Sequence, residues 1–371
     1  MKIEYNKEKV DLMRNTIRKV FLDYYMTKGY AIHKPLPLRI DYDPSLSFVN
    51  CSICIFKKAY LENKKITTYC VSQPALRTNT FKSSQNNEKL VYTAALEMLG
   101  AFTEISNETS LMEINKHFIM QAEFLNCVIG SQGQIEIEIS PLLYPMICMK
   151  TVEYLLSLKM KILISERELK WHYGMDNIWG IGSNWKIKCY NQRCEYGNVI
   201  LLFKDNKPIG VESGGAIEAL LRCLFNFPHK IFANTYCNEW IAEKIEGGIA
   251  YSIEYFDALN VLSQILWHYK DEKCLRLMAI TEKYIRILKS IMILSKISLE
   301  ELEKDIKQIE RTHEFWCNCP NELFYEINNL LHTKWNINMI AYNYLLNKNK
   351  MKWRGISKLE RKAIIALSEN Y

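Results

Sequence analysis

The pattern of apolar residues changes near Pro228 of this 371-residue chain. Before Pro228, short segments rich in β-branched and aromatic residues alternate with segments of helical period, and Gly133–Ser140 alternates apolar and polar residues as a half-buried strand does. After Pro228, Trp240–Ile297 keeps a helical period with few glycines. The pattern predicts an α+β domain over residues 1–228, with a mainly antiparallel sheet flanked by helices, followed by an all-helical domain over 229–371.

Turn and capping residues mark several element boundaries. Lys9–Gly29 predicts an amphipathic helix that ends at its glycine, and Asp205-Asn206 predicts a tight turn between the strands Tyr196–Phe203 and Lys207–Glu212. Gly214-Gly215 is expected to break the chain before a helix from Ala216 to Phe225. Further strands are predicted over Ser47–Phe56, Lys65–Ser72 and Val91–Thr103. Further helices are predicted over Glu113–Val128, Tyr144–Leu158, Glu166–Trp171 and Leu299–Glu314. A capping box of Ser298 and Glu301 precedes the last of these helices.

The net charge of +7 is concentrated in the last part of the chain. From Lys334 onward, the sequence contains eight basic residues and only two acidic ones. Such a segment suits an anion, a membrane surface or RNA, and it is also typical of a solvated helix face. The candidate RNA-binding residues, which alternate with aromatic ones, are Lys348, Lys350, Lys352, Arg354, Arg361 and Lys362.

Neither the N-terminus nor any apolar run predicts a signal peptide or a membrane span, so we expect a soluble, cytoplasmic protein without a membrane partner. The twelve cysteines are then expected to be reduced thiols. The close pairs Cys51/Cys54 and Cys317/Cys319 lack a matching second pair of ligands, so small buried side chains are favoured over a zinc site.

Three residues have the chemistry of a ligand site. Arg77 ends a predicted strand next to a polar loop. An arginine in this position could bind a phosphate or a carboxylate, or it could be a surface residue without a ligand. Glu212 precedes the two glycines and could bind an ammonium group or partner a helix N-terminus. Trp179 could form a pocket wall or pack in the core.

These residues belong to segments that resemble one known family. Asp43–Asn50 reads DPSLSFVN, Gln73–Arg77 reads QPALR, and Glu97–Phe102 reads EMLGAF. Asn177–Gly182 (NIWGIG) and the ESGG turn after Val211 follow in the same order. Together they resemble the catalytic fragment of alanyl-tRNA synthetase, a class II aminoacyl-tRNA synthetase, over about residues 15–225. The resemblance implies a class II synthetase-like antiparallel sheet and a helical domain where the family recognises tRNA.

The resemblance implies a role for each matched residue. Arg77 matches the arginine that holds the ATP α-phosphate and the substrate carboxylate, and Trp179 matches the tryptophan of the alanine pocket. Asn198 matches the asparagine facing that pocket. Glu212 takes the place of the aspartate that binds the substrate's amino group, beside the matched Gly214.

The nucleotide end departs from the family pattern. Ala219 stands where an arginine is expected against the adenine, and Leu96 stands where an aromatic residue is expected on the other adenine face. The candidate nucleotide-binding residues are Arg77, Lys82, Leu96 and Phe102, with Lys186 and Lys188 as further sources of charge. The cofactor expected from the resemblance is ATP with Mg²⁺, without zinc.

Two functions remain open from the sequence. The resemblance implies a divergent stand-alone paralogue, without editing regions, that activates a small amino acid as an acyl-adenylate for transfer to tRNA or to a non-tRNA acceptor. The alternative is a catalytically inactive paralogue that acts as an amino-acid sensor, a synthetase partner or a tRNA-binding module. A structural helical scaffold is a third interpretation.

Overall fold

In a computed structural model of the chain, the described residues are 4–40, 42–43, 46–62, 64, 68–78, 93–106, 108–174, 178–190, 192–248, 252–268, 275–313 and 321–332. The chain divides into two compact units. The sheet unit consists of Glu8–Ala75 and Leu96–Ala233, and the helical unit consists of Met1–Lys7, Leu76–Ala95 and Asn234–Tyr371. The functional domains assigned to 1–228 and 229–371 stay a prediction.

The described strands form one mixed sheet. They are β1 (Ala31–Ile32), β2 (Tyr69–Leu76), β3 (Ala95–Glu104), β4 (Gly133–Ile139), β5 (Lys161–Ile164), β6 (Lys170–His172), β7 (Ile178–Cys189), β8 (Gln192–Lys204) and β9 (Lys207–Ala216). Their order is β1-β2-β3-β9-β8-β7-β4-β5, with β6 paired to β7. The pairs β1–β2 and β4–β5 are parallel, whereas the strands from β3 through β9, β8 and β7 to β4 pair antiparallel. The predicted α+β class with a mainly antiparallel sheet is confirmed.

The helices around the sheet are α1 (Lys7–Thr27), α2 (Cys54–Leu61), α3 (Ser110–Ile129), α4 (Met149–Ser157) and α5 (Ile217–Leu224). The prediction of a helix over Lys9–Gly29 is confirmed by α1, which buries Val10, Ile17 and Phe21 at helical spacing. Gly29 follows with a φ of 86°, a conformation that favours glycine after a helix.

The hairpin between β8 and β9 also confirms its prediction. Asp205 and Asn206 both adopt a positive φ, 48° and 64°, which is the conformation that the tight turn of a twisted antiparallel pair requires. Aspartate and asparagine tolerate this region better than other non-glycine residues. The turn sets the first pairs, Lys204 with Lys207 and Phe203 with Pro208, and a bulge then shifts the register by one residue before Glu212.

Three predicted elements are wrong. Ser47–Phe56 is not a strand, since α2 begins at Cys54; Ile53 through Phe56 are all buried, and a continuous apolar run has no period that separates strand from helix. Glu166–Trp171 is not a helix, because β6 pairs with β7 there. Gly214-Gly215 does not break β9, which continues to Ala216.

The helical unit contains α6 (Glu239–Glu246), α7 (Ser252–His268), α8 (Leu275–Ser295), α9 (Leu299–Thr312) and α10 (Glu322–His332). The predicted capping box is present at the start of α9: the Ser298 hydroxyl accepts from the Glu301 amide, and the Glu301 carboxylate accepts from the Ser298 amide. None of the helices in the described part of the chain is both long and apolar enough to cross a membrane.

The structure corrects the expectation that every cysteine is a free thiol. Cys189 at the end of β7 and Cys223 in α5 form a disulfide, with a Cα–Cα distance of 5.5 Å. No local pattern indicates this pair, because the two residues are separated by 34 positions and meet only when α5 packs on the sheet. The bond ties the last turn of α5 to a central strand.

Candidate functional site

Two neighbouring rows of residues cross the four central strands on one face of the sheet. Both rows run across β3, β9, β8 and β7 in that order. The first row is Gly100, Gly214, Asn198 and Asn184, and the second row is Phe102, Glu212, Ile200 and Gly182. Directly opposed residues of an antiparallel pair share a face, and so do residues two apart on a strand. We call this side of the sheet the Glu212 face.

Two hydroxyl groups hold the Glu212 carboxylate. Ser52 donates to Oε1 at 3.1 Å and Tyr173 donates to Oε2 at 3.5 Å. Burial and then the Glu212 charge raise the pKa of Tyr173 well above its usual range, so its hydroxyl stays a donor. A carboxylate oxygen accepts more than one hydrogen bond, and Glu212 is half-exposed. The carboxylate can therefore also accept from a ligand.

Two glycines lie near Glu212 where a side chain would not fit. A Cβ at Gly100 would lie 2.1 Å from the Ser52 side chain. Gly214 has a φ of 151°, and a Cβ there would lie 2.0 Å from the Leu99 carbonyl oxygen. Neither position accepts a side chain, so a ligand at Glu212 can approach the backbone of β9.

Asn198 lies next to Gly214 on β8 and is also half-exposed. Its Nδ2 donates to the Asn184 Oδ1 at 2.7 Å and to the Ser183 carbonyl oxygen at 3.3 Å. A carbonyl oxygen only accepts, so this contact fixes the orientation of the amide and leaves Oδ1 as the atom that Asn198 can offer a ligand. Glu212 and Asn198 thus both present acceptors, an arrangement that suits a cationic group such as an ammonium.

The position of Tyr173 is itself fixed from below. The Lys57 ammonium donates to the Tyr173 carbonyl oxygen at 2.7 Å and forms an ion pair with Asp43. The Lys57 and Asp43 side chains are only 2% and 3% exposed. Because both charges of this buried pair are satisfied, the pair can hold the Tyr173 backbone firmly.

Trp179, predicted for the pocket wall, lies on the opposite face of the sheet. Glu212 pairs with Ile200 of β8, and Ile200 pairs with Gly182 of β7. Gly182 therefore lies on the Glu212 face of the sheet. Trp179 is three residues from Gly182 and therefore points the other way. Its ring stacks on Phe203, with centroids 4.6 Å apart. The structure does not bring Trp179 together with Glu212.

Arg77 belongs to the helical unit and directly follows β2. It is half-buried, and its amide donates to the Ala94 carbonyl oxygen at 2.8 Å. The next carbonyl, of Thr78, accepts from Lys283 at 2.8 Å and from the Tyr284 hydroxyl at 3.2 Å. Two side chains of α8 thus hold the backbone beside Arg77.

Three residues at the positions that the resemblance assigns to the nucleotide are buried in the sheet unit. Leu96 is 7% exposed in a cluster with Ala75, Met98 and Ala216. Phe102 is 1% exposed and stacks on Phe56 and Tyr69, with centroids 4.6 and 5.5 Å away, and Ala219 is fully buried in α5. Lys186 forms an ion pair with Glu138. Leu96, Phe102 and Ala219 thus offer no exposed surface on which an adenine could stack.

An ion network next to Ala219 was not predicted. The buried Arg14 of α1 lies 2.9 Å from carboxylate oxygens of both Glu97 and Glu218, and Arg18 also contacts Glu97. The two arginines lower the pKa of Glu97 to about 2 against its burial, whereas burial raises the pKa of Glu218. This network joins α1, β3 and α5 through charges of both signs.

Several predictions lie outside the described residues. These are the candidate nucleotide ligand Lys82, the candidate RNA-binding residues Lys348, Lys350, Lys352, Arg354, Arg361 and Lys362, and the cysteines Cys317 and Cys319. Of the other close pair, Cys51 and Cys54 both donate to the side chain of Asn50, at 3.0 and 3.6 Å. In the described ranges, no three His, Cys, Asp or Glu side chains are placed to hold a metal ion.

Ser52, Tyr173 and Asn184 are the site residues that sequence reasoning missed. Ser52 carried a faint signal, as a hydroxyl in the otherwise apolar run around α2. Its contact with Glu212 spans 160 positions, which no local pattern encodes.

Comparison with known proteins gives the same relatives as the motifs. No protein-family model matches the chain. Alanine–tRNA ligases of Desulfosudis oleivorans and Sphingopyxis alaskensis are 34% and 36% identical to it over 95 residues. Each match covers 24% of this chain, and 11% and 10% of the two relatives. The chain thus spans only about a tenth of the length of these relatives.

Two solved structures were also matched. A putative threonyl-tRNA synthetase of Aeropyrum pernix has a TM-score of 0.38 at 9% identity, covering 67% of this chain and 69% of the other. An asparaginyl-tRNA synthetase of Entamoeba histolytica, solved in complex with asparaginyl-adenylate, has a TM-score of 0.36 at 10% identity, covering 62% and 66%. The resemblance to alanyl-tRNA synthetase is confirmed by the sequence matches, over about a quarter of the chain.

Proposed function

We propose that this chain is a synthetase-like protein that binds a small amino acid, with the ligand's ammonium group on Glu212. The observation that carries the proposal is the half-exposed Glu212 carboxylate on the same face as the half-exposed Gly214, which has no side chain to cover it. The Asn198 Oδ1 adds a second acceptor on the same face. The sequence similarity to alanine–tRNA ligases supports alanine as the first ligand to test.

The ammonium requirement can be tested with matched ligands. We expect alanine to bind in a calorimetric titration, and propionate and N-acetylalanine to bind at least tenfold more weakly, because both lack the cationic group that a carboxylate stabilises. Equal affinity for alanine and propionate would contradict the proposed role of Glu212.

ATP-dependent activation has support from one residue only. Arg77 follows β2 at the position where the resemblance implies a contact with the α-phosphate and the substrate carboxylate. The adenine end does not fit, because Leu96 and Phe102 are buried among apolar groups and Ala219 is buried in α5. We therefore favour the second candidate, an amino-acid-binding paralogue that does not form an adenylate and serves as a sensor, a synthetase partner or a tRNA-binding module.

Pyrophosphate exchange separates the two candidates. The favoured function predicts alanine binding without exchange in the presence of ATP and Mg²⁺. Exchange that is lost in Arg77→Ala but kept in the exposed control Arg167→Ala would establish activation instead.

RNA binding by the basic segment from Lys334 onward remains part of the proposal. Phosphate contacts release counterions, so we expect the affinity for tRNA to fall steeply as salt is raised from 50 to about 200 mM. Binding that is independent of salt would argue against contacts between this segment and phosphates.

A further inference from the structure

A groove of about 940 Å³ is lined by α3, by α4 and by the chain that leads into α4. From α3 it takes Leu111, Met112 and Ile119, and from the chain that leads into α4 it takes Met146 and Cys148. Small-molecule sites typically enclose about 300–1,000 Å³ and combine a mainly apolar lining with a few polar groups. The size and the composition of the groove therefore suit a small molecule.

The sheet separates this groove from the Glu212 face. His117 of α3 lies with its Nδ1 2.8 Å from the Ser213 Oγ. Ser213 follows Glu212 on β9, so its side chain points to the opposite face of the sheet. Helix α3 and the groove thus lie on the side of the sheet away from Glu212, and a ligand in the groove does not compete with one at Glu212.

Two apolar side chains of the groove are largely exposed. Leu111 and Met112 are 55% and 60% exposed. Met112 and Ile119 lie two turns apart on the same side of α3. Methionine has several rotatable bonds and adapts to ligands of different shape. An unbranched alkyl chain along these residues would remove apolar surface from water, which is favourable.

The charged residues of the groove all have the same sign. They are Lys28, Lys116 and Lys150, and none of the described lining residues is acidic. Lys28 forms an ion pair with Glu123 at 3.3 Å, and Lys116 forms one with Glu113 at 3.4 Å. Lys150 is exposed and forms no ion pair with any residue that the structure describes. The groove thus offers one uncompensated positive charge, which matches a monoanion better than a phosphate monoester of about −1.5 to −2.

The start of α4 also favours a negative charge. Cys148 is the N-cap residue of this helix, and its Sγ lies 3.1 Å from the Thr151 Oγ1. The hydrogen bond from the Thr151 hydroxyl, followed by those from nearby backbone amides, lowers the pKa of the Cys148 thiol. Anions are stabilised at the N-terminus of a helix because its amide groups point toward them. Lys150 and the start of α4 therefore favour the same end of an anionic ligand.

The charge argues against an occupant from this chain itself. The segment from Lys334 onward carries eight basic residues against two acidic ones, so it has the same sign as the groove. Like charges that are brought together at an interface are destabilising. A separate anionic molecule is the better match.

We propose that this groove binds an alkyl carboxylate, with the alkyl chain on Leu111, Met112 and Ile119 and the carboxylate at Lys150. A carboxylate carries a single negative charge at neutral pH, and the chain supplies the apolar surface that the exposed side chains of α3 lack. This second ligand site goes beyond the proposed function and does not depend on amino-acid binding at Glu212.

The first test is calorimetric titration with hexanoate, octanoate and decanoate as monomers in solution. We expect the affinity to rise about two- to fourfold for each added methylene, because each one is removed from water. The uncharged 1-octanol has the same chain length as octanoate and should bind about three- to tenfold more weakly, because it lacks the charge-assisted contact. Equal affinities for octanoate and 1-octanol would overturn the proposal.

Matched variants separate the two ends of the ligand. Lys150→Gln should lower the affinity for octanoate to about that for 1-octanol and leave 1-octanol unchanged, whereas Lys159→Gln, at an exposed lysine outside the lining, should behave as the native chain. Met112→Asp places a charge on the apolar surface and should weaken octanoate at least tenfold. Its control is Met278→Asp, at a methionine 51% exposed in the helical unit. Native octanoate affinity in folded Lys150→Gln and Met112→Asp proteins would contradict the proposed site.

The Cys148 thiol reports whether the groove is occupied. Saturating octanoate should slow the labelling of Cys148 by iodoacetamide at least threefold, measured by mass spectrometry. It should not change the labelling of Cys127, an exposed cysteine of α3 outside the lining. Unchanged labelling of Cys148 at saturation would place octanoate elsewhere and overturn the proposal.

Two other occupants give different results. If a second copy of the chain covers the groove, labelling of Cys148 slows as the protein concentration rises. If a membrane covers it, labelling slows with vesicles of phosphatidylcholine and phosphatidylglycerol. Either result without binding of octanoate would overturn the proposal. The function at Glu212 is tested with alanine and stands or fails separately, and thermal melting confirms that each variant is folded.

Discussion

Two sets of positions in the sheet unit differ sharply in what they offer a ligand. Glu212, Asn198 and Gly214 are half-exposed, and the first two present oxygen acceptors beside a glycine. Leu96, Phe102 and Ala219, at the positions that the resemblance assigns to the nucleotide, are buried, the first two among apolar groups. The first set places polar groups at an accessible surface, whereas the residues of the second set are part of the core.

The difference shows that a sequence resemblance can be informative at one part of a site and uninformative at another. A carboxylate that is kept half-exposed loses little hydration, and a ligand cation can still reach it. A leucine or phenylalanine packed on all sides stabilises the fold instead. The predictions that follow probe this contrast first at a buried position and then at a glycine of the Glu212 face, before they turn to the opposite face of β9.

Leu96→Ala tests whether a nucleotide-assigned position is structural. We expect the free energy of unfolding to fall by about 2–5 kcal/mol, because the change leaves a cavity beside Ala75, Met98 and Ala216. Urea denaturation measures the loss, and alanine affinity should be unchanged under folding conditions. The control Leu12→Ala, at a leucine 69% exposed, should cost less than about 0.5 kcal/mol. A Leu96→Ala protein as stable as the native chain would show that Leu96 is not part of the core.

Gly100→Ala tests the close contact on the Glu212 face. The added Cβ would overlap Ser52, so we expect a loss of about 1–3 kcal/mol in urea denaturation. The double variant Gly100→Ala with Ser52→Gly should recover most of that loss, because the nearest remaining Ser52 atom, the Cα, is 3.7 Å away. Simple additivity of the two changes would mean that Ser52 does not lie on Gly100.

His117 tests the opposite face of β9, where Ser213 follows Glu212. His117 Nδ1 lies 2.8 Å from the Ser213 Oγ and its Nε2 lies 3.0 Å from the Thr103 Oγ1, and burial lowers the His117 pKa to about 3. The pKa of this histidine in the unfolded chain is about 6.5, so between pH 6.5 and pH 3 only the unfolded chain binds a proton there. The free energy of unfolding therefore decreases by about 1.4 kcal/mol for each unit by which the pH is lowered in this range.

The measurement is urea denaturation of the native chain and His117→Gln from pH 7 to pH 4. The native chain should lose more stability than the variant over this range, since the other titrating groups are common to both. Parallel curves for the two proteins would contradict a buried neutral histidine.

The hairpin at Asp205-Asn206 and helix α1 were predictable because local residues determine them. A positive φ at two turn residues and a one-sided apolar pattern leave few alternatives. The segment before α2 was not predictable, because residues buried on every side carry no period. Sequence alone therefore located the start of β9 better than it located the end of that strand or the elements that cover Glu212.

The candidate site was predictable only in part, for a reason of register. Glu212, Asn198 and Gly214 share one face, as expected, but the face of Trp179 depends on how β9, β8 and β7 align, which no single strand specifies. Tyr173 and Ser52 reach Glu212 from 39 and 160 positions away. Partners at such separations become visible only when the fold is known.

The most direct test of the account is a calorimetric titration of alanine into the native chain, Glu212→Gln and the exposed control Glu166→Gln. Glutamine keeps the shape of the side chain but removes the charge. We expect Glu166→Gln to match the native affinity and Glu212→Gln to bind alanine about 10- to 100-fold more weakly, the loss of one charge-assisted contact. Native affinity in a folded Glu212→Gln protein would contradict the central claim that Glu212 binds the ammonium group of an amino acid.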